Sequence, residues 1–328
     1  MHSVSRRKFL ATTGAIGAGA FATSLLPRMA WANPMGLPIG IQLYTVSKPM
    51  SEDTPGTLKK LYELGYREVE SAGIGKHTAK ELRGYLDDAG LKCPSAHLQL
   101  MGENLDEQFE QAHTLGAQYA VSSVLRSFSA GFVKAATAGS SSAGAAAPPA
   151  GQAGDAPPKR PSLAPLGLDG FKKTAEHMNE VGKKVKAAGL QYAYHNHNFE
   201  FEKMPDGSPG YDILVKETDP ELVKFEVDCG WMVVAGGDPV SYFTKYPGRF
   251  RMLHIKDFKP GAAPTTELVG PGRPQGADLG TGFVDYKPIF AAGKAAGIEH
   301  IFVEQETPFP VSQLESAKVD YAYLQKFS

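Results

Sequence analysis

The stretch Lys186-Ala-Ala-Gly-Leu-Gln-Tyr-Ala-Tyr-His195 holds the pattern on which the fold of this chain depends. It reads as the end of an amphipathic helix, then a glycine, then a short apolar run that ends in an imidazole. Glycine after a helix favours a left-handed C-terminal cap, and the apolar run favours a strand that is buried on both faces. The stretch therefore predicts a helix that leads directly into a strand of a parallel sheet.

The same joint recurs as Ala89-Gly-Leu91, Leu115-Gly-Ala117 and Ala296-Gly-Ile298, and short apolar runs alternate with segments of helical spacing. Eight strand–helix units predict one α/β domain, a (β/α)8 TIM barrel, over residues 33–328. An open doubly wound sheet is the alternative, but no G-x-G-x-x-G motif follows the first strand. We expect strands at residues 39–44, 66–71, 91–98, 119–124, 190–195, 222–227, 250–255 and 300–303, and a helix at 283–296 before the last strand.

The first 32 residues carry the features of an export signal. Ser5-Arg-Arg-Lys-Phe-Leu10 is a twin-arginine pattern, an uncharged stretch rich in Ala and Gly follows, and Ala30-Trp-Ala32 offers a small-residue cleavage site. We expect cleavage after Ala32 and delivery to the periplasm by the twin-arginine route. A membrane anchor is the alternative, but the stretch is too short and too rich in glycine to span about 30 Å of hydrocarbon.

Composition disfavours several classes of protein. Apolar residues make up 42% of the 328 residues and charged residues 21%, as in globular proteins. Without the four basic residues of the first 32 positions, the net charge of −1 becomes −5, which disfavours nucleic acid and anionic membranes as partners. Two cysteines, Cys93 and Cys229, cannot build a disulfide framework. We expect no membrane contact after cleavage, while assembly into a homo-oligomer stays open.

Two connections break the strand–helix pattern. From Ala135 to Pro165, 25 of 31 residues are Ala, Gly, Pro or Ser, which predicts a flexible insertion between the fourth strand and the fourth helix. The second connection runs from Lys259 to Gly282 between the seventh strand and the seventh helix, and it is rich in Gly and Pro. Both leave the face of the barrel where active sites form, and we expect the second to cover the substrate.

Polar side chains collect where the predicted strands end. The C-terminal ends of the strands build the active site in a (β/α)8 barrel. Carboxylates and imidazoles are rarely buried without a partner, so their convergence predicts a site for a divalent cation. Such ligands suit Mn²⁺, Co²⁺, Zn²⁺ or Mg²⁺ and do not decide among them. The strand-end residues include Gln42, Glu70, His97, His195, His197, Glu226, Asp228, His254, Lys256, Glu304 and Glu306.

Three of these residues, Asp228, His254 and Glu304, follow successive strands at matching depths, so we expect them to bind the metal ion. Two others have a second interpretation that the sequence leaves open. His97 is either a substrate contact or a hydrogen-bonded residue of the barrel wall. Lys256 either holds a substrate oxygen or forms a salt bridge with Glu226 or Asp257.

Five motifs resemble those of the sugar phosphate isomerase/epimerase family, which has the xylose isomerase-like TIM barrel. The resemblance covers about residues 38–327, and the family includes ketose 3-epimerases, inosose dehydratases, endonuclease IV and lyases acting on 3-keto-glycosides. The motifs are Tyr194-His-Asn-His-Asn-Phe-Glu-Phe201, Phe225-Glu-Val-Asp-Cys-Gly-Trp231, Tyr246-Pro-Gly-Arg249, His254-Ile-Lys-Asp257 and Val303-Glu-Gln-Glu306.

The resemblance implies a metal ion held by Glu, Asp, His and Glu from strands five to eight. Asp228, His254 and Glu304 carry over by position. Strand five departs from the family, because Tyr194-His195 stands where many relatives have Glu, and we expect Glu200 to be the fourth ligand. This departure weakens the case for the two-carboxylate mechanism of the epimerases.

A divalent ion beside a carbonyl group stabilises the enediolate that forms when a base removes the neighbouring proton. We expect Glu304 or His195 to be this base, and Lys256 to hold a substrate oxygen or stabilise negative charge. The side chains expected to contact the substrate are Gln42, Glu70, His97, His197, Trp231 and Glu306.

Return of the proton to the substrate predicts a sugar isomerase or epimerase, which is the leading expectation. Loss of a β-leaving group predicts a lyase acting on a 3-keto-glycoside, which is the alternative. Because an exported enzyme meets free sugars, we expect a non-phosphorylated keto-sugar or sugar derivative. Two other classes are less favoured: a phosphoesterase like endonuclease IV would need a basic face for DNA, and a non-catalytic sugar-binding barrel would need no metal.

Overall fold

The computed structural model describes residues 35–100, 104–123, 165–261, 263–268 and 272–327. The predicted export signal and all but the last residue of the predicted insertion at 135–165 lie outside these residues. Within the described part of the chain, no helix has both the length and the apolar composition needed to cross a membrane.

Eight parallel strands close into a barrel, as the alternating pattern predicted. Strands that follow one another in the sequence are neighbours in the barrel, and the first strand completes the ring by pairing with the last. Two short strands, β8 (Asp257–Phe258) and β9 (Gly276–Ala277), form a separate antiparallel pair. The barrel strands are β1 (Ile39–Gln42), β2 (Glu68–Ser71), β3 (Lys92–His97), β4 (Tyr119–Ser123), β5 (Gln191–His195), β6 (Val223–Asp228), β7 (Phe250–Ile255) and β10 (His300–Val303).

The helix α3 (Ala79–Ala89) shows how the sequence sets the ends of the helices. Thr78 and Glu81 form a capping box at its start, and Gly90, with φ of +78°, ends it in the left-handed conformation that favours glycine. The other described helices are α1 (Ser47–Glu52), α2 (Thr54–Leu64), α4 (Leu105–Leu115), α5 (Gly167–Ala187), α6 (Gly210–Glu217), α7 (Cys229–Val234), α8 (Pro239–Lys245), α9 (Tyr286–Ala296) and α10 (Gln313–Gln325), with 3₁₀ turns at Leu43–Val46 and Phe199–Phe201.

For two of the predicted boundaries that were wrong, the reason is a polar side chain that caps a turn or a helix. The strand predicted at 39–44 ends at Gln42, because the Gln42 side chain accepts a backbone N–H of the 3₁₀ turn that follows. The helix predicted at 283–296 begins at Tyr286, because the Asp285 carboxylate caps its first turn. The remaining described strand ends fall within two residues of their predicted positions.

The first and last strands of the barrel approach each other closely at Gly40. A Cβ atom at this position would lie 2.5 Å from the ring of Phe302 and 2.8 Å from the carbonyl oxygen of Ile301. Glycine therefore allows the ring of strands to close. A larger apolar core lies between the strands and the helices. The cluster that contains Phe302 comprises Tyr119, Val121, Ala193, Met252 and Phe302.

Candidate active site

The register of the strands decides which polar side chains share the interior of the barrel. His195 at the end of β5 lies opposite Glu226 on β6, and Asp228 at the end of β6 lies opposite His254 on β7. Paired residues of parallel strands point to the same face of the sheet, and residues two apart on one strand do so as well. These four side chains therefore meet at the C-terminal end of the barrel, and all four are buried.

Four residues form a group that could hold one metal ion: His195, Asp228, His254 and Glu304, whose ligand atoms lie within 4.8 Å of one another. Nε2 of His195 lies 4.0 Å from Oδ2 of Asp228, and Nδ1 of His254 lies 3.0 Å from Oε2 of Glu304. We call these residues the metal group. The buried Oδ2 of Asp228 accepts no hydrogen bond, and Nζ of Lys256 lies 3.2 Å away, so this oxygen faces a cation already and a metal ion would share it. Two imidazoles and two carboxylates are a common ligand set for Zn²⁺, Mn²⁺ or Co²⁺.

A layer of carboxylates lies behind the metal group. Oε2 of Glu226 lies 3.1 Å from Nε2 of His97, 3.2 Å from Nδ1 of His195 and 3.2 Å from Nε2 of His254. Oε2 of Glu70 lies 2.5 Å from Nε2 of His254 and 3.2 Å from Nε2 of His97. Three imidazoles thus surround two fully buried carboxylates.

Opposite charges in this layer stabilise each other and outweigh the cost of burying them. Burial alone would lower the pKa of His97, but Glu70 and Glu226 raise it to about 10. Burial would likewise lower the pKa of His254, but Glu226 and Glu70 raise it well above its ordinary value. Burial would raise the pKa of Glu226, yet His254 and His195 hold it well below its ordinary value. In the metal-free chain these groups therefore form a network of ion pairs.

Lys256 is a buried cation at the edge of the metal group. Its Nζ lies 2.7 Å from Oε2 of Glu304, 2.7 Å from Oε1 of Glu306 and 3.2 Å from Oδ2 of Asp228. Burial opposes its charge, but these three carboxylates raise its pKa above the ordinary value for lysine. The same contacts help to hold the pKa of Glu304 well below its ordinary range, although burial alone would raise it. Lys256 is therefore protonated and Glu304 ionised at neutral pH.

The connection between β7 and α9 reaches the site through Arg273, which forms a salt bridge with Glu306. Its far end is held by the Asp257 carboxylate, which accepts N–H groups from Gly280, Gly282, Phe283 and Val284 at 3.0 to 3.1 Å. The described part of this connection thus packs against the edge of the site. Asp257 therefore anchors the loop.

The sequence matches the xylose isomerase-like TIM barrel family over residues 58–326. The chain belongs to this family. The match extends over most of the described barrel, and it agrees with the fold that the sequence predicted.

Proteins similar to this chain include enzymes of the isomerase, epimerase and lyase type. An inosose dehydratase of Lacticaseibacillus casei is 29% identical over 148 residues, which are 42% of this chain and 48% of the dehydratase. The aligned segment thus spans about half the length of that enzyme. A sugar phosphate isomerase/epimerase from Parabacteroides distasonis has a TM-score of 0.62 at 25% identity, covering 88% of this chain and 93% of that one. The zinc-bound structure of the IOLI protein has a TM-score of 0.59 at 14% identity, covering 89% and 98%, and this similarity concerns the fold.

The structure places Glu200 outside the metal group of this family member, although the sequence predicted it as the fourth ligand. The 3₁₀ turn Phe199–Phe201 directs the buried carboxylate of Glu200 to the barrel wall. There it accepts the hydroxyl of Tyr194 at 2.7 Å and the backbone N–H of His197 at 2.9 Å. His195, predicted as a base, takes the fourth place in the metal group instead.

Three residues predicted to contact the substrate are buried within the protein. Gln42 donates from Nε2 to Oε2 of Glu70 at 3.2 Å, and Ser95 donates to the other oxygen of Glu70 at 2.5 Å. The fully buried indole of Trp231 lies under Lys256, whose Nζ is 5.2 Å from the ring centroid. These side chains support the charged groups of the site, and their direct contact with a substrate stays a prediction.

Two predicted histidines border the site and differ in charge. His97 is bound to two carboxylates and follows the hydrogen-bonded alternative that the sequence left open. The ring of His197 packs edge to face against the ring of His195, with ring centroids 5.0 Å apart. Burial, His195 and Lys256 lower the pKa of His197 well below its ordinary value, so its imidazole is neutral at neutral pH.

Sequence reasoning missed Arg273, because nothing in a loop rich in Gly and Pro indicates which side chain turns inwards.

Proposed function

We propose that the chain is a divalent-metal-dependent carbon–oxygen lyase, which removes a proton beside the carbonyl group of a keto-sugar or keto-polyol and expels a β-oxygen. The observation that carries this proposal is the 2.7 Å contact between Nζ of Lys256 and Oε2 of Glu304 at the edge of the metal group. This contact sets a proton donor beside a carboxylate. A β-elimination needs one proton acceptor and one proton donor.

The residues present fit a divalent ion. His195, Asp228, His254 and Glu304 supply two nitrogen and two oxygen ligands, and Oδ2 of Asp228 is buried without a hydrogen bond. When bound, such an ion would polarise the carbonyl group and stabilise negative charge on its oxygen.

The side chains of this site can account for every proton in the reaction. Glu304 takes the proton from the carbon beside the carbonyl, and the electron pair of that C–H bond first passes to the carbonyl group as an enolate. The pair then forms the new C=C bond as the β-carbon–oxygen bond breaks. Lys256 donates a proton to the departing oxygen, which leaves as water or as an alcohol. The product is an unsaturated ketone, and no oxidant or reductant is needed.

The residue at the end of strand five supports elimination over epimerisation. Epimerisation needs one group that removes the proton and a second that returns it on the opposite face of the substrate. The resemblance implies a glutamate here, whereas this chain has His195, whose Nδ1 faces Glu226 at 3.2 Å. The relatives that are inosose dehydratases also support the lyase alternative more strongly than the leading isomerase or epimerase expectation.

The substrate that we propose is uncharged. Among the described residues of the site, Lys256 and Arg273 are each paired with a carboxylate, and His97 is paired with two. These cations are therefore already neutralised and offer little attraction to a phosphate group. A cyclic keto-polyol or a 3-keto-glycoside fits a site of this kind.

We also propose that the first 32 residues direct export by the twin-arginine route, so that the enzyme meets its substrate in the periplasm. The twin-arginine pattern at Arg6 and Arg7 supports this proposal. Replacing both arginines with lysine should retain the protein in the cytoplasm, as cell fractionation would measure. Unchanged release into the periplasm would contradict this route.

The experiment that tests the reaction is incubation with Mn²⁺ or Co²⁺ in D₂O, followed by NMR, with a panel of inososes, ketoses and 3-keto-glucosides. We expect an unsaturated ketone together with released water or alcohol, and Glu304→Gln should abolish both product formation and deuterium exchange. A deuterated epimer or isomer with no unsaturated product would overturn the lyase proposal and favour the isomerase.

A further inference from the structure

His195 presents its two ring nitrogens to different partners. Nε2 faces the metal group, 4.0 Å from Oδ2 of Asp228. Nδ1 points away from the metal group and lies 3.2 Å from Oε2 of Glu226. This contact lacks the geometry of a hydrogen bond, but the ring is buried and Glu226 is the anionic group that lies beside Nδ1.

His254 is arranged in the opposite sense. Its Nδ1 faces the metal group, 3.0 Å from Oε2 of Glu304. Its Nε2 lies 2.5 Å from Oε2 of Glu70 and 3.2 Å from Oε2 of Glu226. Each of the two rings thus points one nitrogen at the metal group and the other at a buried carboxylate. The nitrogen on the metal side is Nε2 in His195 and Nδ1 in His254.

We infer that Glu226, supported by Glu70, fixes the two imidazoles as opposite tautomers, so that His195 offers Nε2 and His254 offers Nδ1 to one metal ion. A neutral imidazole carries one proton, and a carboxylate beside one nitrogen keeps that proton there. The other nitrogen keeps its lone pair for the ion. Glu226 is a positioning residue, because it acts through the histidines. This inference rests on the metal group of the proposed function.

The alternative is a second metal ion held by His97, His195, Glu226 and His254, whose ligand atoms also lie close together. The contacts of Glu226 in this group, at 3.1 to 3.2 Å, suit either hydrogen bonds or an ion, because an ion bonded to two atoms at about 2 Å each holds them about 3 Å or more apart. Nε2 of His254, however, already forms a 2.5 Å hydrogen bond with Oε2 of Glu70, which lies outside the group, and this bond occupies the nitrogen that such an ion would need. The second group is therefore the outer layer of one metal site.

The positive charge of His97 balances the negative charge of the two carboxylates in this outer layer. Its Nε2 lies within 3.2 Å of both Glu70 and Glu226, and those carboxylates raise its pKa to about 10. Two buried carboxylates beside each other would otherwise repel, and one of them would take up a proton. With His97 protonated, both carboxylates remain anionic when the two metal-binding imidazoles are neutral.

The first test uses the unmutated full chain, labelled with ¹⁵N-histidine and loaded with Zn²⁺. Long-range ¹H–¹⁵N spectra distinguish a protonated ring nitrogen from one bound to a metal. We expect His195 to be protonated at Nδ1 and His254 at Nε2, with one Zn²⁺ per chain. Three results would overturn the inference: protonation of both rings at the same nitrogen, loss of the ring proton from both histidines, or two Zn²⁺ ions per chain.

The second test measures the Zn²⁺ dissociation constant of Glu226→Gln by competition with a chelator. A neutral amide holds the ring proton less firmly, and loss of such an outer carboxylate weakens metal binding about 10- to 100-fold. Glu68→Gln is the matched control, because Glu68 is also a buried barrel carboxylate bound to an imidazole, His300, at 2.8 Å. We expect the control to bind Zn²⁺ as the unmutated chain does.

The outcomes separate this inference from the proposed function. Normal Zn²⁺ affinity in Glu226→Gln would overturn the positioning role and leave the metal group intact. An equal loss of affinity in Glu68→Gln would also overturn it, because the effect would then come from any buried carboxylate. Absence of Zn²⁺ binding by the unmutated chain would overturn both proposals. The tautomers of the unmutated chain decide the inference even if Glu226→Gln does not fold.

Discussion

Lys256 and Glu304 contact each other across two neighbouring strands, with Nζ and Oε2 2.7 Å apart. Lys256 directly follows β7, and Glu304 directly follows β10, which pairs with β7. The proton donor and the proton acceptor of the proposed reaction therefore lie on the same side of any substrate bound at the metal group.

This arrangement predicts the stereochemistry of the reaction. The proton and the β-oxygen should leave from the same face of the substrate, which is a syn elimination. A substrate with deuterium placed stereospecifically on the carbon beside the carbonyl would show which hydrogen is lost. Loss of the hydrogen on the face opposite to the leaving oxygen would contradict the roles given to Lys256 and Glu304.

Lys256→Met should separate the two halves of the reaction. Glu304 can still remove the proton, so deuterium exchange beside the carbonyl should continue, while product formation falls about 10²- to 10⁴-fold because the leaving oxygen receives no proton. NMR in D₂O measures both. The control is Lys224→Met, since Lys224 lies on β6 and donates to the carbonyl of Gly248. Equal losses of exchange and product in Lys256→Met would argue against an acid role.

Asp228→Asn should remove metal binding without unfolding the chain. Oδ1 of Asp228 caps α7 by accepting the N–H of Trp231 at 2.8 Å, and asparagine is an equally good N-cap. The loss of the cap should therefore cost less than about 1 kcal/mol, and any larger loss of unfolding free energy in the metal-free chain would come from the buried contact with Nζ of Lys256 at 3.2 Å. Metal analysis and urea denaturation test both parts, with the cap variant Asp285→Asn at α9 as the control. Stoichiometric metal in Asp228→Asn would remove Asp228 from the metal group.

Glu200→Gln should behave as a structural change. The carboxylate accepts hydrogen bonds from Tyr194 and from the backbone of His197, and an amide satisfies both less well. We expect a loss of about 1 to 3 kcal/mol in unfolding free energy, with the metal content unchanged. Urea denaturation and metal analysis measure these quantities. Loss of the metal at unchanged stability would restore Glu200 as a ligand.

Asp320 makes the stability of the fold depend on pH. It is buried on α10 and accepts the N–H of Leu279 at 2.7 Å, but burial, with Asp278 and Asp257 nearby, raises its pKa to about 8. The folded chain keeps a proton that the unfolded chain loses above about pH 4, so this contribution weakens as pH rises to about 8. Asp320→Asn should reduce the loss of stability between pH 5 and pH 9 in urea denaturation, and an unchanged loss would contradict the assignment.

The barrel and its strand ends were predictable because both follow from local patterns. Glycine joints and apolar runs located the strands, and the geometry of the barrel then placed Asp228, His254 and Glu304 together. The structure brings these three within 4.8 Å of His195 and of one another, and their binding of a metal ion stays a prediction.

The placement of Glu200 could not be derived from spacing. It depends on a 3₁₀ turn that rotates the carboxylate towards Tyr194, and the sequence gives no period from which such a turn can be read. The roles of Glu70 and Glu226 depend on contacts between strands that are far apart in the chain. His254 and Glu70 are separated by 184 positions, so only the closed barrel brings them together.

Glu304 is the last residue of the metal group in the order of the chain, and it is also the proposed proton acceptor. During synthesis on the ribosome, His195, Asp228 and His254 emerge first, and β1 has no partner on its open side until β10 follows. Early capture of a metal ion by those three residues would give a loaded but inert nascent chain. The step that closes the ring of strands would also deliver the proposed base, so the topology would keep the unfinished protein inactive.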